Sequence, residues 1–239
     1  MKEKNSKDLP ALECHIPHLA YDSVIFGYHD SELHILILEY HNSGLYALPG
    51  GFVKRDENLD DAVKRGLTER TGLREVYLEQ FSTFGKVNRS KGRVMKKILE
   101  ANGYAPEQGH WLLDRFISVA YYALLDHSKV TPVPDALSDS MNWYPVDGLP
   151  PLIMDHKDIV KKAVEVLRQN LDKKLVGSNL LPPKFTMRAL QQVYEAILGE
   201  KLTRTNFQRK ILSADMVVRH EKQFLGGAHK APYLYSFKS

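Results

Sequence analysis

The sequence holds a single cysteine, Cys14, in 239 residues. One thiol excludes an internal disulfide and a cysteine-based metal cluster, and it fits a chain kept in the reducing cytoplasm. No apolar run approaches the roughly 18 residues that a membrane span needs. The opening stretch, MKEKNSKDLP, lacks the apolar core of a signal peptide, and residues 1–12 read as a loose tail. There is no strong excess of one charge either: the net is +4, with 26% charged and 43% hydrophobic residues, enough apolar matter for a normal buried core. The charge is unevenly spread, however. From Lys184 to Ser239, ten Lys and Arg face four Asp and Glu, while the remainder is slightly acidic. A basic last quarter points to a polyanionic partner for that quarter.

What the sequence does contain is concentrated in residues 48–73, LPGGFVKRDENLDDAVKRGLTERTGL. A glycine pair ends a strand-like run and a charged turn follows. A helix with Leu59, Ala62, Val63 and Leu67 at helical spacing then closes on Thr71-Gly72. Glu57 comes six residues after Gly51, Arg65 eight after Glu57, and Gly72 seven after Arg65. These spacings resemble the Nudix box, G-x5-E-x7-R-E-U-x-E-E-x-G-U with U aliphatic. Gly51, Glu57, Arg65, Leu67, Glu69, Gly72 and Leu73 all fall in place.

Two departures bear on function. Gly66 and Arg70 stand where the family has glutamates, and positions 66, 69 and 70 share one helix face. In the hydrolases that resemble this chain, that face carries carboxylates that hold Mg2+ and activate water. Mg2+ needs carboxylate oxygen together with phosphate. Here Glu69 is left beside a guanidinium that is always charged. At ~4 Å and an effective dielectric of ~20, unit charges interact by ~4 kcal/mol, so Arg70 is expected to repel a metal or neutralise Glu69. Gly66 also weakens the helix by ~1 kcal/mol, which implies that something packs or binds there. The sequence therefore predicts a Nudix fold without catalytic residues, metal or cofactor. A Mg2+-dependent hydrolase of a nucleoside-diphosphate derivative such as ADP-ribose is the alternative.

Around the box, apolar and β-branched runs predict strands at Tyr21–Tyr28, Leu33–Leu38, Glu75–Phe84, Arg115–Leu125 and Met141–Val146. An amphipathic helix is predicted over His156–Leu171. Strands alternating with helices imply an α/β/α sandwich. Residues 85–114, with a short amphipathic helix at Arg93–Ala101, form an insertion that reads as a surface elaboration or, alternatively, a lid over a ligand or a partner contact. A boundary is expected in the Gly-, Ser- and Pro-containing stretch 172–184, giving domains 13–172 and 180–239.

In the second domain, Thr186 caps a helix whose buried face is Leu190, Val193, Tyr194, Ile197 and Leu198, ended by Gly199. A second helix begins near Thr203, with Phe207, Ile211 and Leu212 inward and Arg204, Asn206, Arg209 and Lys210 outward. Two short helices and a glycine turn fit a helix-turn-helix. Residues 216–219 and 233–237 then read as strands flanking a basic tip, the wing of a winged helix.

The whole, an α+β chain with a Nudix sandwich followed by a winged helix-turn-helix, resembles the Nudix-related transcriptional regulators of bacteria. That resemblance implies a homodimer on palindromic double-stranded operator DNA and a small-molecule effector, either a pentose or an ADP-ribose-like nucleotide. The degraded box favours the sugar. Arg204, Thr205, Asn206, Arg209 and Lys210, with Thr203 at the helix start, are the expected DNA readers. Lys184, Arg188, His229 and Lys230 are expected at phosphates or a groove. Tyr46, Phe52, Glu57, Arg89 and Arg93, with Asp155 and His156 as alternatives, are the candidate effector contacts. An RNA-binding role suits a basic helix less well, since sequence-specific RNA readers engage single strands.

Overall fold

The computed structural model describes residues 9–74, 76–89, 92–172, 180–223 and 231–238. The first unit is built on a mixed seven-stranded sheet. Its axis is β1 (His15–His29), which pairs in parallel with β6 (Ile117–Leu125) along its length. On its other side β1 changes partner. Its first half runs antiparallel to β4 (Gly50–Lys54), and its second half pairs with β2 (Glu32–Tyr40). β2 also carries β3 (Leu45–Ala47) and β7 (Ser138–Pro145), while β5 (Tyr77–Phe84) closes the far edge against β6.

Alternation along the strands sorts the apolar residues between two faces. Ile25, Leu36, Val119 and Tyr121 lie under the box helix α1 (Leu59–Thr71). Val24, Phe26, Ile35, Ala120 and Tyr122 lie under α3 (His156–Asn170). α1 ends where expected: Gly72 adopts φ +74°, and its N–H reaches Thr68 O at 2.8 Å.

Residues 85–114 are more than a surface elaboration. α2 (Gly92–Ala101) turns Ile98 and Leu99 inward and leaves Arg93 in solvent. A 3-10 turn at Trp111–Leu113 follows. Leu99, Tyr104, Trp111, Leu112 and Phe116 form a third apolar cluster against Phe52 and Met95. Leu9 is buried in the same cluster, and Trp111 Nε1 donates to Pro10 O at 3.1 Å. The loose tail expected through residue 12 is therefore docked from Leu9 onward.

The second unit comprises β8 (Phe185–Thr186), α4 (Met187–Leu198), α5 (Arg204–Ser213), β9 (Val217–Lys222) and β10 (Tyr233–Phe237), with sheet order β8-β10-β9. Thr186 accepts from Ala189 N at 3.1 Å, and Gly199 ends α4 with φ +74°. Leu190, Val193, Tyr194 and Ile197 join Phe207 and Ile211 in a cluster continuous with the one under α3. Leu212, expected inward, is 45% exposed: the 3.6-residue turn that buries Phe207 and Ile211 carries it to the outer side.

Candidate functional site

A cavity of about 350 Å³ opens between α1, the β1–β4 pair and the 85–114 segment. Its apolar wall comes from Phe52, Met95, Tyr104, Leu112 and Phe116, so the insertion encloses one side. The Phe52 ring lies 5.0 Å from Trp111 and 5.3 Å from Phe116, which fixes its orientation.

The opposite side is a buried polar cluster. Arg89 comes from the loop after β5 and lies almost wholly out of solvent, as do its partners. Its guanidinium is ion-paired with Asp22, and its Nε donates to Asp155 Oδ2 at 3.0 Å. Ser118 Oγ donates to Asp22 Oδ2 at 2.6 Å. Asp155 Oδ1 is buried with no partner among the described residues. Burial outweighs the nearby Arg89 and raises the Asp155 carboxyl above its usual range. At the first residue of α3, His156 Nδ1 accepts from Leu48 N at 3.0 Å. Nε2 therefore carries the proton and faces Asp22 Oδ1 at 3.7 Å. Burial pulls the His156 pKa below 6.5 despite Asp22, so the ring is neutral.

The box helix supplies the third side through Arg65, Gly66, Glu69 and Arg70. A Cβ on Gly66 would lie 2.1 Å from the Tyr21 hydroxyl, and one on Gly51 would lie 2.6 Å from it. Tyr21 thus fills the space a side chain at position 66 would need, which accounts for the glycine inside a helix. Arg70 does not neutralise Glu69 as expected. Its guanidinium reaches Asp135 Oδ2 at 2.7 Å, in the loop before β7. Glu69 is 57% exposed and lies 3.5 Å from Arg65.

Glu57 is held by Arg65, at 2.7 and 3.1 Å, and by Lys54 N at 2.8 Å. The hydrogen bond from Arg65 keeps its carboxyl below the usual range. A Mg2+ site built from the box does not fit these residues. Glu57 is saturated by Arg65, position 66 is a bare backbone under a tyrosine and position 70 is a guanidinium, which leaves Glu69 as the single free carboxylate of the box.

The cavity thus brings together Phe52, Arg89 and His156 of the expected effector residues, with Asp155 behind Arg89. Three others are placed elsewhere. Tyr46 hydrogen-bonds to Glu39 at 3.3 Å and packs beside Tyr144 against the cluster under α3, on the wrong face of the sheet. Arg93 points outward from α2, and Glu57 is tied off by Arg65. The sequence reading missed Tyr21, Asp22 and Asp135. Each meets its partner across 45 or more residues, and no local spacing announces such contacts.

The expected DNA-reading helix is α5. Arg204, Thr205, Gln208, Arg209 and Leu212 line a shallow groove on its outer face. Gln208 belongs to that set and was not expected. Thr203, Asn206, Lys184 and Arg188 are exposed. Lys210 is turned back toward the first unit, where its ammonium meets Asp172 Oδ2 at 2.6 Å. His229 and Lys230 lie outside the described residues.

Comparison with known proteins agrees with this architecture. A NUDIX domain model matches residues 18–165, and an NrtR DNA-binding winged helix domain model matches residues 177–237. The chain belongs to the Nudix-related transcriptional regulators. This regulator is similar to the ADPR responsive transcriptional repressor NtrR of Acinetobacter baylyi, with 28% identity over 228 residues, covering 92% of this chain and 82% of that protein. It is also similar to the crystal structure of Shewanella oneidensis NrtR, with 29% identity and TM-score 0.69, covering 92% of this chain and 94% of that one. The same protein complexed with a 27mer DNA matches with the same identity and TM-score over 93% of its chain. No described helix is long and apolar enough to cross a membrane.

Proposed function

We propose that this regulator is a cytoplasmic repressor that binds operator duplex as a homodimer through α5, and that its Nudix cavity takes an ADP-ribose-like nucleotide in place of a hydrolytic substrate. Domains 13–172 and 180–239 would carry the two tasks. The observation that carries the reading is the box helix itself. Tyr21 and Arg70 occupy the metal face, yet the cavity beside that face is kept open and walled by the insertion. A cleft of this size, part aromatic and part polar, is the usual form of a small-ligand site.

The nucleotide is preferred over the pentose expected from the degraded box, because a relative aligned across both domains is named for its response to ADPR. Phe52, Tyr104 and Phe116 offer an aromatic, apolar wall for a base, and Asp22 and Arg89 offer polar partners for a sugar. On the DNA side, Arg204, Thr205, Asn206, Gln208 and Arg209 would read the groove, with Thr203, Lys184 and Arg188 at its margins.

Calorimetric titration of the full chain with ADP-ribose, arabinose and xylose tests the effector. Fluorescence anisotropy on a duplex from the regulator's own upstream region tests the consequence. ADP-ribose is expected to bind and to change DNA affinity by roughly 5–150-fold, with no AMP released in Mg2+. Response to a pentose alone, or AMP release that disappears in Glu69→Gln, overturns the assignment.

A further inference from the structure

Two hydrogen-bond donors lie where the Nudix fold would place acceptors for a cation. The Tyr21 hydroxyl fills the site of the missing carboxylate at 66 and borders the cavity, with no hydrogen-bond partner among the described residues. Burial pushes its pKa up to about 12, so it remains an O–H at any physiological pH. Arg70 lines the same wall. Its Nη2 donates to Asp135 and its Nε–H is sealed off from solvent, so Nη1 is the nitrogen left to meet a ligand. Of the acids nearby, Glu57 is saturated by Arg65 and Lys54, Asp135 Oδ1 accepts from Leu137 N and Ser138 Oγ, and Glu69 is turned to solvent beside Arg65.

We infer that Tyr21 and Arg70 convert the metal face of the box helix into a metal-free oxyanion site that takes phosphate oxygens of the effector. The inference rests on the nucleotide reading above and adds which atoms hold its diphosphate. In a hydrolase the divalent cation bridges acidic side chains to phosphate. Here a guanidinium and a phenol meet phosphate directly, by charge-assisted hydrogen bonds, and no water-activating group is created. The site would bind a diphosphate without a route to its cleavage.

The experiment is calorimetric titration of the full chain with ADP-ribose, adenosine and inorganic diphosphate, in EDTA and again in Mg2+, for wild type, Y21F and the double variant R70Q/D135N. The double variant keeps a neutral hydrogen-bonding pair, so the loop before β7 is not left with a lone carboxylate. Melting temperatures are recorded alongside. Wild type is expected to bind ADP-ribose equally well with and without metal. Y21F, which removes one oxygen, should weaken ADP-ribose binding by about tenfold or more, leave adenosine binding unchanged, and keep its melting temperature.

Equal ADP-ribose affinity in wild type and Y21F overturns the inference, as does binding that EDTA abolishes. If wild type ignores ADP-ribose but binds diphosphate through Tyr21, the effector assignment fails and the oxyanion site stands. If it binds neither, both fall.

Discussion

At the scale of single residues, the lost glutamate at position 66 did not leave a void. Tyr21, 45 positions earlier in the chain, put its hydroxyl there. The arrangement is intolerant of a methyl group, since the ring is buried and bounded by Gly51 as well. His156 is equally constrained. Its Nδ1 must accept from Leu48 N, and protonation would set two donors against each other. Burial holds its pKa below the ordinary 6.5, so between those values the unfolded chain binds a proton that the folded chain refuses. Stability is therefore expected to fall as pH drops below 6.5. The urea midpoint should decline more steeply from pH 7 to 5.5 in wild type than in His156→Asn, whose side-chain oxygen can accept from Leu48. Parallel pH profiles for the two would refute this.

At the scale of elements, α5 separates two lysine and arginine roles that sequence alone had merged. Arg209 borders the outer groove, whereas Lys210 is engaged by Asp172. Arg209→Ala, which removes a cation from the groove face, should weaken duplex binding and lessen its salt dependence. Lys210→Ala should leave that dependence near wild type. Anisotropy across a salt series checks both, and equal slopes for the two variants would contradict the assignment.

The elements themselves were legible wherever a period was strong. The box helix, the apolar runs of β2 and β6, and the Thr186 and Gly199 caps lie where spacing put them. The first half of β1 was not legible, because His15 to Ala20 interrupts its apolar residues with two histidines and a proline and is a strand only through β4 and β6 on either side. Leu9 was hidden as an isolated apolar residue in a polar segment. In the cavity, Arg89 and His156 were legible only as candidates beside the cleft that the family resemblance implies, and their shared partner Asp22 sits within a β-rich run that reads only as strand.

At the scale of the whole molecule, α3 joins the cavity to the winged helix. His156 stands at one end. At the other, Arg168 Nε donates to Ile197 O at 2.7 Å, satisfying a last-turn carbonyl of α4 that would otherwise lack a partner. Leu171 O accepts from Tyr194 at 3.3 Å, and Asp172 holds Lys210 of α5. A shift of α3 caused by effector would reach both helices of the winged unit through these ties. Arg168→Ala is expected to cost about 1 kcal/mol of stability and to shrink the ADP-ribose effect on DNA affinity. Its ligand affinity and its ligand-free DNA affinity should stay near wild type. An undiminished ADP-ribose effect would remove α3 from the coupling route.

The apolar cluster that runs unbroken from Phe26 and Tyr122 through Leu167 to Val193 and Phe207 has one more consequence. The halves are not interchangeable cartridges. A graft of this winged unit onto a foreign sensor would bare a greasy seam and aggregate unless that sensor offered a matching helix face.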